Sequence, residues 1–495
     1  MKFFLQTTMG LCLLLSACSL AEEASRIQTP DWDPVFALPL VETQIRLQDI
    51  ISQVDTAGLL TTDSRGALML AYETDLGYLS AGNLVVIPAL SIPMPDVSFS
   101  IPFPVTGLQQ MRLSSGTLGY RFSHTGTEPI QVVMGFDNAV LGQKPLVQVI
   151  DIPGRGTYTG ELDLQGYAIY LTDGTLDLRY NAHLMDGSVV QVEDFQYSLQ
   201  DWTVQYAEGY LGQQVLDLTS GDVQLDIPTL PEGAFIGLLA PTFSFRVRNS
   251  LGLPCMLQAV QFDAVDAQGV STSLLSPELQ AGIPLAYPDL QASGTYALTT
   301  LTLDTSNTRL GDVISAMPRR LIWNFDALTH PDGDETHTGF VLDTSRIGIT
   351  LRAELPLYGK AGQIPFQQSF DMDLSELETG PLETADLKLW IDNGFPLESA
   401  VQAYFLDETG QVLDSLFEDG ATWIGGAAVD VSGRAVAPTQ TDLHIRLNAQ
   451  RVAVLRGARQ IAVRCLFATS EGGTIPVAMY ADYQIGIRLG VLAGL

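Results

Sequence analysis

Alternation between apolar and polar residues is the dominant pattern along the chain. Segments 157–164, 189–199 and 483–489 alternate in polarity and are rich in β-branched or aromatic residues, a pattern typical of strands with one buried face. Turn dipeptides such as Asp186-Gly187 close many of these runs, and the turn spacing between residues 150 and 228 favours an antiparallel meander. The pattern therefore predicts a mainly β protein.

Helical periodicity is confined to three short segments. Apolar residues recur at i, i+3, i+4 and i+7 in segments 47–54 and 310–317, and a weaker helical pattern covers residues 449–455. The hexapeptides that begin at Leu47 and Leu310 are identical at four of six positions. Because of this apolar periodicity, we predict a short helix in each segment. Each predicted helix is followed by a basic residue and a strand-like stretch.

A hairpin pattern also recurs along the chain. The pattern is a first strand that ends in asparagine, then a turn proline, then a second strand. The first strand ends at Asn249 in one copy and at Asn393, 144 positions later, in the other. In a fainter copy of the pattern, the first strand ends at His124. Arg320 and Arg459, which follow two of the helical segments, are 139 positions apart. We predict a diverged internal repeat of about 140 residues, built as tandem antiparallel β-sandwich-like domains with a few short helices.

The chain is too long for one hydrophobic core at 495 residues, so several domains are expected. The composition and pattern changes predict five consecutive segments: a signal peptide at 1–17, a lipidated tether at 18–30, an N-terminal β domain with one short helix and a meander at 31–232, a middle β-sandwich repeat at 233–345 and a C-terminal β-sandwich repeat at 346–495.

The N-terminus has the pattern of a secretory signal. Lys2 precedes an apolar run, and small residues follow that run immediately before Cys18. The sequence Leu15-Ser16-Ala17-Cys18 resembles the lipobox of bacterial lipoproteins. That resemblance implies that Cys18 becomes the mature N-terminus and carries acyl chains, among them palmitate. The protein would then contact the membrane through its N-terminal lipid.

The segment after the tether carries a second resemblance. Residues 31–40, Asp-Trp-Asp-Pro-Val-Phe-Ala-Leu-Pro-Leu, look like the start of large outer-membrane or surface lipoproteins of Bacteroidota. Ser19 replaces the aspartate that marks inner-membrane retention in many bacteria. The resemblance therefore implies an exported outer-membrane lipoprotein, and it leaves open whether the protein faces the periplasm or the cell surface.

Charge and cysteine content narrow the classes further. The formal net charge of −31 repels phosphate backbones, so no nucleic-acid partner is expected. No later apolar run reaches the roughly 20 residues of a membrane span. Cys255 and Cys465 remain after Cys12 and Cys18 are set aside; they are expected as buried free thiols, with one disulfide as the alternative.

Candidate chemistry is sparse. His330, Asp332, Asp334 and His337 lie close in sequence and are weak candidates for a metal site, but their spacing does not match a calcium loop, so a solvated Asp-Gly turn is the preferred interpretation. No catalytic nucleophile motif and no cofactor motif is found. One further set of aromatic residues is expected to pack across strands, with a platform for sugar rings as the alternative: Phe195, Tyr197, Trp202, Tyr206 and Tyr210.

Three functions remain open. The favoured hypothesis is a non-catalytic scaffold or binding protein at the cell envelope, with a protein, glycan or lipid as its unidentified ligand. The alternative is a carrier of lipid or of another apolar ligand, which an apolar cavity of several hundred Å³ would favour. A hydrolase whose site is assembled from distant residues is the least expected of the three.

Overall fold

The computed structural model describes residues 35–47, 60–225, 230–371 and 384–494. Almost all regular structure in these ranges is β. The strands, in chain order, are β1 Val35–Arg46, β2 Leu60–Thr62, β3 Leu68–Ser80, β4 Leu90–Pro93, β5 Ser98–Pro102, β6 Leu108–His124, β7 Ile130–Leu141, β8 Lys144–Ile152, β9 Gly156–Asp163, β10 Ala168–Tyr170, β11 Thr175–Leu184, β12 Val189–Val190, β13 Glu193–Gly209, β14 Val215–Gln224, β15 Phe235–Leu238, β16 Thr242–Asn249, β17 Cys255–Val265, β18 Ser271–Ser273, β19 Ile283–Leu285, β20 Ala297–Leu303, β21 Arg320–Thr329, β22 Gly339–Leu342, β23 Arg346–Pro356, β24 Tyr358–Gly362, β25 Ile364–Asp371, β26 Thr384–Asn393, β27 Leu397–Leu406, β28 Val412–Ser415, β29 Thr422–Ile424, β30 Ala428–Val429, β31 Ala435–Ala437, β32 Thr439–Leu447, β33 Gln460–Thr469, β34 Val477–Ala478 and β35 Gln484–Gly494.

The helices of the described residues are short. They are α1 Pro277–Ala281, α2 Leu310–Ser315, α3 Ala449–Leu455 and α4 Ser470–Gly473, with 3₁₀ turns at Ala81–Asn83 and Leu290–Ala292. The helices predicted for 310–317 and 449–455 are confirmed as α2 and α3. The helix predicted to begin at Leu47 lies outside the described residues from position 48 onward. No helix in the described part of the chain is long and apolar enough to cross a membrane.

The first and last described strands belong to the same β-sandwich. One of its sheets has the order β1-β35-β26-β32, and the other has the order β25-β33-β27-β28, with β29 also paired to β27. Numbered along the chain, these eight main strands form sheets in the orders first-eighth-third-sixth and second-seventh-fourth-fifth. This is the topology of a jelly roll. We call this domain the outer jelly roll, a name that refers to chain order and not to position in space.

A second sandwich repeats the same topology. Its sheets are β3-β23-β16-β20, with β2 added beside β3, and β14-β21-β17-β18, with β19 paired to β17. We call it the middle jelly roll. Its strands show why the sequence alternates: in β21, Leu321, Trp323, Phe325 and Ala327 are buried against the opposite sheet while the intervening residues are half-buried.

A third sandwich, the inner jelly roll, completes the series. Strand β4 pairs with β13, β13 with β6 and β6 with β9. In the other sheet, β5 pairs with β11, β11 with β7 and β7 with β8. The strand orders are those of the other two jelly rolls. Strand β10 pairs with both β6 and β7 and so connects the two sheets at one side.

The three jelly rolls are nested in the chain. In each, the first and second strands lie at sheet edges, except that the short strand β2 is added outside β3 in the middle jelly roll. The connection between them therefore leaves the sandwich without interrupting the ladders of the eight main strands. The inner jelly roll makes this connection with residues 94–97 alone. The middle jelly roll carries the whole inner jelly roll there, and the outer jelly roll carries the middle one.

Compact units in the structure follow this nesting. Among the described residues, 35–47, 231–234, 361–371 and 384–494 belong to one unit, which contains the outer jelly roll, and 60–225, 230 and 235–360 belong to the other, which contains the middle and inner jelly rolls. The predicted domains at 31–232, 233–345 and 346–495 are consecutive segments and differ from this division. The difference arises because β1 and β3 pair with strands several hundred residues away.

The predicted repeat is confirmed at the level of strands. Asn249 and Asn393 both end the third strand of their jelly rolls, and His124 ends the third strand of the inner one. Helices α2 and α3 both connect the sixth strand to the seventh. The meander predicted for residues 150–228 is not formed, because β9, β11 and β13 each pair with strands that are distant in sequence.

Candidate functional site

The structure does not describe the predicted lipidation site, but it does describe the predicted metal ligands. Cys18 lies outside the described residues. In the candidate metal loop, the two histidines differ in exposure: His330 is 2% exposed, whereas His337 is largely exposed and pairs through Nδ1 with Asp334 Oδ2 at 2.9 Å. The described residues contain no group of three or more His, Cys, Asp or Glu side chains that could hold a metal ion.

His330 was expected in a solvated turn, and burial of its side chain corrects that expectation. Its ring lies 4.6 Å from the ring of Tyr210, centroid to centroid, and neither ring nitrogen has a hydrogen-bond partner. Gln213 Nε2 donates to the carbonyl oxygens of His330 and Pro331 at 3.3 and 3.0 Å. Burial, with a smaller contribution from the charge of His337, lowers the pKa of His330, so the ring is held neutral.

The aromatic residues considered as a sugar platform are mainly core residues. Phe195, Tyr197 and Trp202 are all buried. Phe195 stacks on Tyr180 with ring centroids 4.2 Å apart and on Phe122 at 5.3 Å. These side chains therefore fill the inner jelly roll, as the packing interpretation predicted.

The two later cysteines are free thiols in different jelly rolls. Cys255 is buried at the start of β17, and Cys465 is half-buried in β33. Burial raises the pKa of Cys255 to about 12 and that of Cys465 to about 11. Because the thiolate is the reactive form, neither side chain is set up as a nucleophile.

The inner jelly roll contains an open groove of about 800 Å³ beside its two edge strands β4 and β5. Apolar and polar side chains share its walls, including Met94, Phe99, Tyr180, Asp96 and Asp194. Burial and the nearby charge of Asp96 raise the pKa of Tyr180. The groove has the size of a small-ligand site, but its polar walls differ from those of a purely apolar pocket.

A different surface, on the middle jelly roll, concentrates positive charge. The outward side of the sheet β3-β23-β16-β20 is formed by residues that alternate with its buried ones, and Arg246, Arg248 and Arg346 are exposed there. Strand register places Arg248 between Leu298 and Gly348, and Gly348 beside Tyr78. We call Arg246, Arg248, Arg346, Tyr78, Tyr296 and Leu298 the arginine–tyrosine face.

Two of these arginines are held by aromatic rings. The Arg248 guanidinium lies over the Tyr296 ring, 5.4 Å from its centroid, and the Arg346 guanidinium lies over the Tyr78 ring at 5.2 Å. Tyr78 and Tyr296 are 63% and 59% exposed. Stacking of a planar cation on a ring restrains the side chain and leaves its N–H groups available around the edge.

Ion pairs and acidic side chains on the same sheet border the arginine–tyrosine face, and Asp75 is in register with Arg246 across Thr350. Arg352 contacts Glu73 at 3.6 Å and Glu354 at 2.7 Å, and Asp75 accepts a hydrogen bond from Thr350 Oγ1 at 2.8 Å. Among the described carboxylates, none forms an ion pair with Arg246, Arg248 or Arg346. The face therefore offers three unneutralised guanidinium groups in a chain whose net charge is −31.

The fold does not require arginine at these positions. When Asn249 is aligned with Asn393 in the outer jelly roll, Arg248 corresponds to Asp392 and Arg246 to Trp390. The repeat thus keeps the buried asparagine and changes the exposed residues. A sequence signal existed, since Arg246 and Arg248 are two residues apart in a predicted strand, but Tyr78 and Arg346 join them only through strand pairing.

The sequence matches no model of a known protein family, and it has no match among curated proteins. Among solved structures, it is similar to a protein described as secreted from Parabacteroides distasonis ATCC 8503, with 13% identity, coverage of 58% of this chain and 88% of that one, and a TM-score of 0.33. It is also similar to the triple jelly roll protein of an archaeal virus turret, with 11% identity, coverage of 92% and 96%, and a TM-score of 0.12. The VP2 subviral particle of infectious bursal disease virus gives 9% identity, coverage of 80% and 74%, and a TM-score of 0.18.

Proposed function

We propose that the chain is an exported outer-membrane lipoprotein, anchored through Cys18, that works as a non-catalytic binding protein. Its partner carries oxyanions, such as carboxylate groups, and binds at the arginine–tyrosine face. The single observation that carries the binding role is the presence of three exposed, unneutralised arginines on one sheet face of a strongly acidic chain. Guanidinium groups bind carboxylates in a bidentate way, and such charge-assisted bonds are among the strongest in proteins.

Several observations support a role without catalysis. The two described thiols have raised pKa values, and the His330 ring is buried away from carboxylate partners. The residues of the arginine–tyrosine face are exposed on the outer side of a sheet, so the face is suited to contact with a partner rather than to exclusion of water from a reacting bond.

The anchor follows from the N-terminal sequence. A lipid at Cys18 would connect through residues 19–34 to β1 of the outer jelly roll. Sixteen residues of chain span at most about 60 Å when fully extended, so the folded part would stay within that distance of the membrane surface. Several acyl chains on one cysteine give stable attachment, whereas one chain gives only marginal binding.

The anchoring proposal is tested by metabolic labelling with a palmitate analogue and by membrane fractionation. We expect the wild-type chain to incorporate label and to sediment with outer membranes. Cys18→Ser should abolish both, and Cys255→Ser should change neither. Label retained by Cys18→Ser, or wild-type protein found in the inner membrane, would contradict the proposal.

A carrier of lipid is the second candidate, and the groove of the inner jelly roll is the observation that favours it. Native mass spectrometry of the delipidated chain tests this function. A co-purifying lipid whose occupancy falls on substitution of Met94 or Phe99 by aspartate would support the carrier, and an unoccupied wild-type chain would count against it.

A further inference from the structure

We propose that the partner of the arginine–tyrosine face is a polysaccharide that carries uronate carboxylates. This inference rests on the proposed function and specifies the ligand class of the same surface. It depends on three properties of the face: how the guanidinium groups are presented, the shape of the surface, and the charge of the rest of the chain.

The guanidinium groups are presented as restrained forks. Arg248 and Arg346 each lie over a tyrosine ring, and Arg246 lies two residues before Arg248 on β16, so their Cα atoms are about 7 Å apart on the same face. A restrained fork loses little side-chain entropy when it binds a carboxylate. The face therefore suits a ligand with several separate carboxylates more than a single compact anion.

The surface is open and extended. From Tyr296 and Leu298 at β20 to Tyr78 on β3, the face crosses four neighbouring strands, which corresponds to about 14 Å at the usual strand spacing. Its residues are exposed on the outer side of the sheet, so a ligand that lies across the strands makes repeated contacts. An extended polymer is such a ligand.

The exposed rings beside the cations fit sugars better than they fit a purely ionic surface. Tyr78, Tyr296 and Leu298 are all more than half exposed. The face of an aromatic ring is electron-rich and attracts C–H groups that carry partial positive charge, and one side of a sugar ring presents several such groups. A uronate unit combines that C–H surface with the carboxylate that the neighbouring arginine binds.

The charge of the whole chain argues against ligands of high charge density. A net charge of −31 repels nucleic acids and anionic membranes over long distances. The three arginines act over short range, and they do not reverse this repulsion. A uronate polymer carries at most one carboxylate per sugar ring, whereas duplex DNA carries one charge per roughly 1.7 Å of its length, so the polymer meets less repulsion for each contact formed.

Binding of the detergent-solubilised full chain to immobilised polygalacturonate tests the inference, with neutral dextran, dextran sulfate and anionic phospholipid vesicles as the other arms. We expect binding to polygalacturonate and none to dextran. The variant Arg246→Gln/Arg248→Gln/Arg346→Gln should lower the affinity at least about tenfold, since each lost charged contact accounts for about that factor. The control Arg65→Gln/Arg309→Gln/Arg446→Gln removes the same charge from three other exposed arginines and should change the affinity less than about twofold.

A second pair of variants separates sugar contact from charge alone. Tyr78→Ala/Tyr296→Ala should weaken binding to polygalacturonate, whereas Arg352→Gln, whose guanidinium already pairs with Glu73 and Glu354, should not. Equal binding by the arginine variant and its control would overturn the inference. Arginine-dependent binding to dextran sulfate or vesicles but not to polygalacturonate would also overturn it, while leaving the proposed oxyanion-binding function intact. Failure of the Cys18 labelling test would instead remove the anchor and leave this measurement valid.

Discussion

Asn393 provides the sharpest test of how the repeated jelly roll is stabilised. Its side chain is 3% exposed at the end of β26. Its Nδ2 donates to the carbonyl oxygens of Leu397 and Gly425 at 3.0 and 2.9 Å, and its Oδ1 accepts from the backbone N–H of Phe395 at 3.0 Å. One amide thus connects the third strand to the turn that follows and to the loop after β29. We expect Asn393→Ala to destabilise the outer jelly roll.

The size of the effect follows from the groups left without partners. Alanine removes three hydrogen bonds inside a buried region, and each buried backbone group left unsatisfied costs about 1–3 kcal/mol. Carbonyl oxygens retain a second lone pair and lose less than the N–H group does. We therefore expect the free energy of unfolding of the outer jelly roll to fall by about 3 kcal/mol, within a range of about 2–5 kcal/mol.

Hydrogen exchange of peptides from β26 and β27, measured in native buffer, gives the free energy of opening for this domain. Such a local measurement is needed because a chain with two compact units does not unfold in a single transition. Gln440→Ala is the matched control, because Gln440 is an exposed amide on the neighbouring strand β32. Its effect should stay within about 0.5 kcal/mol.

The equivalent residue of the middle jelly roll extends the test. Asn249 is fully buried, donates to the Ala286 carbonyl oxygen at 3.1 Å and accepts from the Leu251 N–H at 2.9 Å. Asn249→Ala should accelerate exchange in β16 and β17 and leave β26 unchanged. If Asn393→Ala costs no more than Gln440→Ala, the buried amide does not stabilise the turn and the reasoning for both repeats is refuted.

Three other predictions concern buried groups. Burial lowers the pKa of folded His330 below its unfolded value of about 6.5, so the unfolded chain binds the proton more readily. The free energy of opening of the middle jelly roll should therefore be constant well above pH 6.5 and fall as the pH drops below that value. Hydrogen exchange of peptides from β21 should show that His330→Phe loses this dependence while the exposed-site variant His337→Gln keeps it. Gly135→Ala should destabilise the inner jelly roll by at least about 2 kcal/mol, because the new Cβ would lie 2.0 Å from the Leu146 carbonyl oxygen. Gly142→Ala, which meets no atom within 4 Å but has a φ of +64°, should cost only about 1 kcal/mol, and hydrogen exchange of peptides from β7 and β8 measures both effects. The raised pKa of Cys255 predicts that a thiol reagent at pH 8 leaves it unmodified until denaturant is added, and rapid labelling of the native chain at this residue would contradict its burial.

The nested connectivity has a consequence for folding. The first strand of the outer jelly roll is made early in the chain, and its partner β35 is the last described strand. The inner jelly roll, by contrast, uses only residues 90–209. Closing a long loop costs entropy before its contacts form, so the inner jelly roll should form first and the outer one last.

Only part of the arginine–tyrosine face could be predicted from the sequence. The strand that carries Arg246 and Arg248 was recognisable, because Phe243, Phe245 and Val247 alternate with polar residues. Its neighbours were not recognisable, since β3 lies on the far side of the inserted inner jelly roll in the chain. The stacked pair of Arg346 and Tyr78 therefore had no signal in the sequence.

The sequence by itself determined the elements that depend on neighbouring residues. Local patterns of this kind are the strand alternation, the helices α2 and α3, the hairpins that follow Asn249 and Asn393, and the N-terminal Cys18 motif. Each involves spacings within a few residues, so local preference and burial pattern suffice to predict it. Only the tertiary structure decided which strands pair, because a β ladder joins residues without regard to their separation in the chain, and Val35 lies opposite Gly494. That pairing created the nested jelly rolls, buried His330 beside Tyr210 and assembled the arginine–tyrosine face.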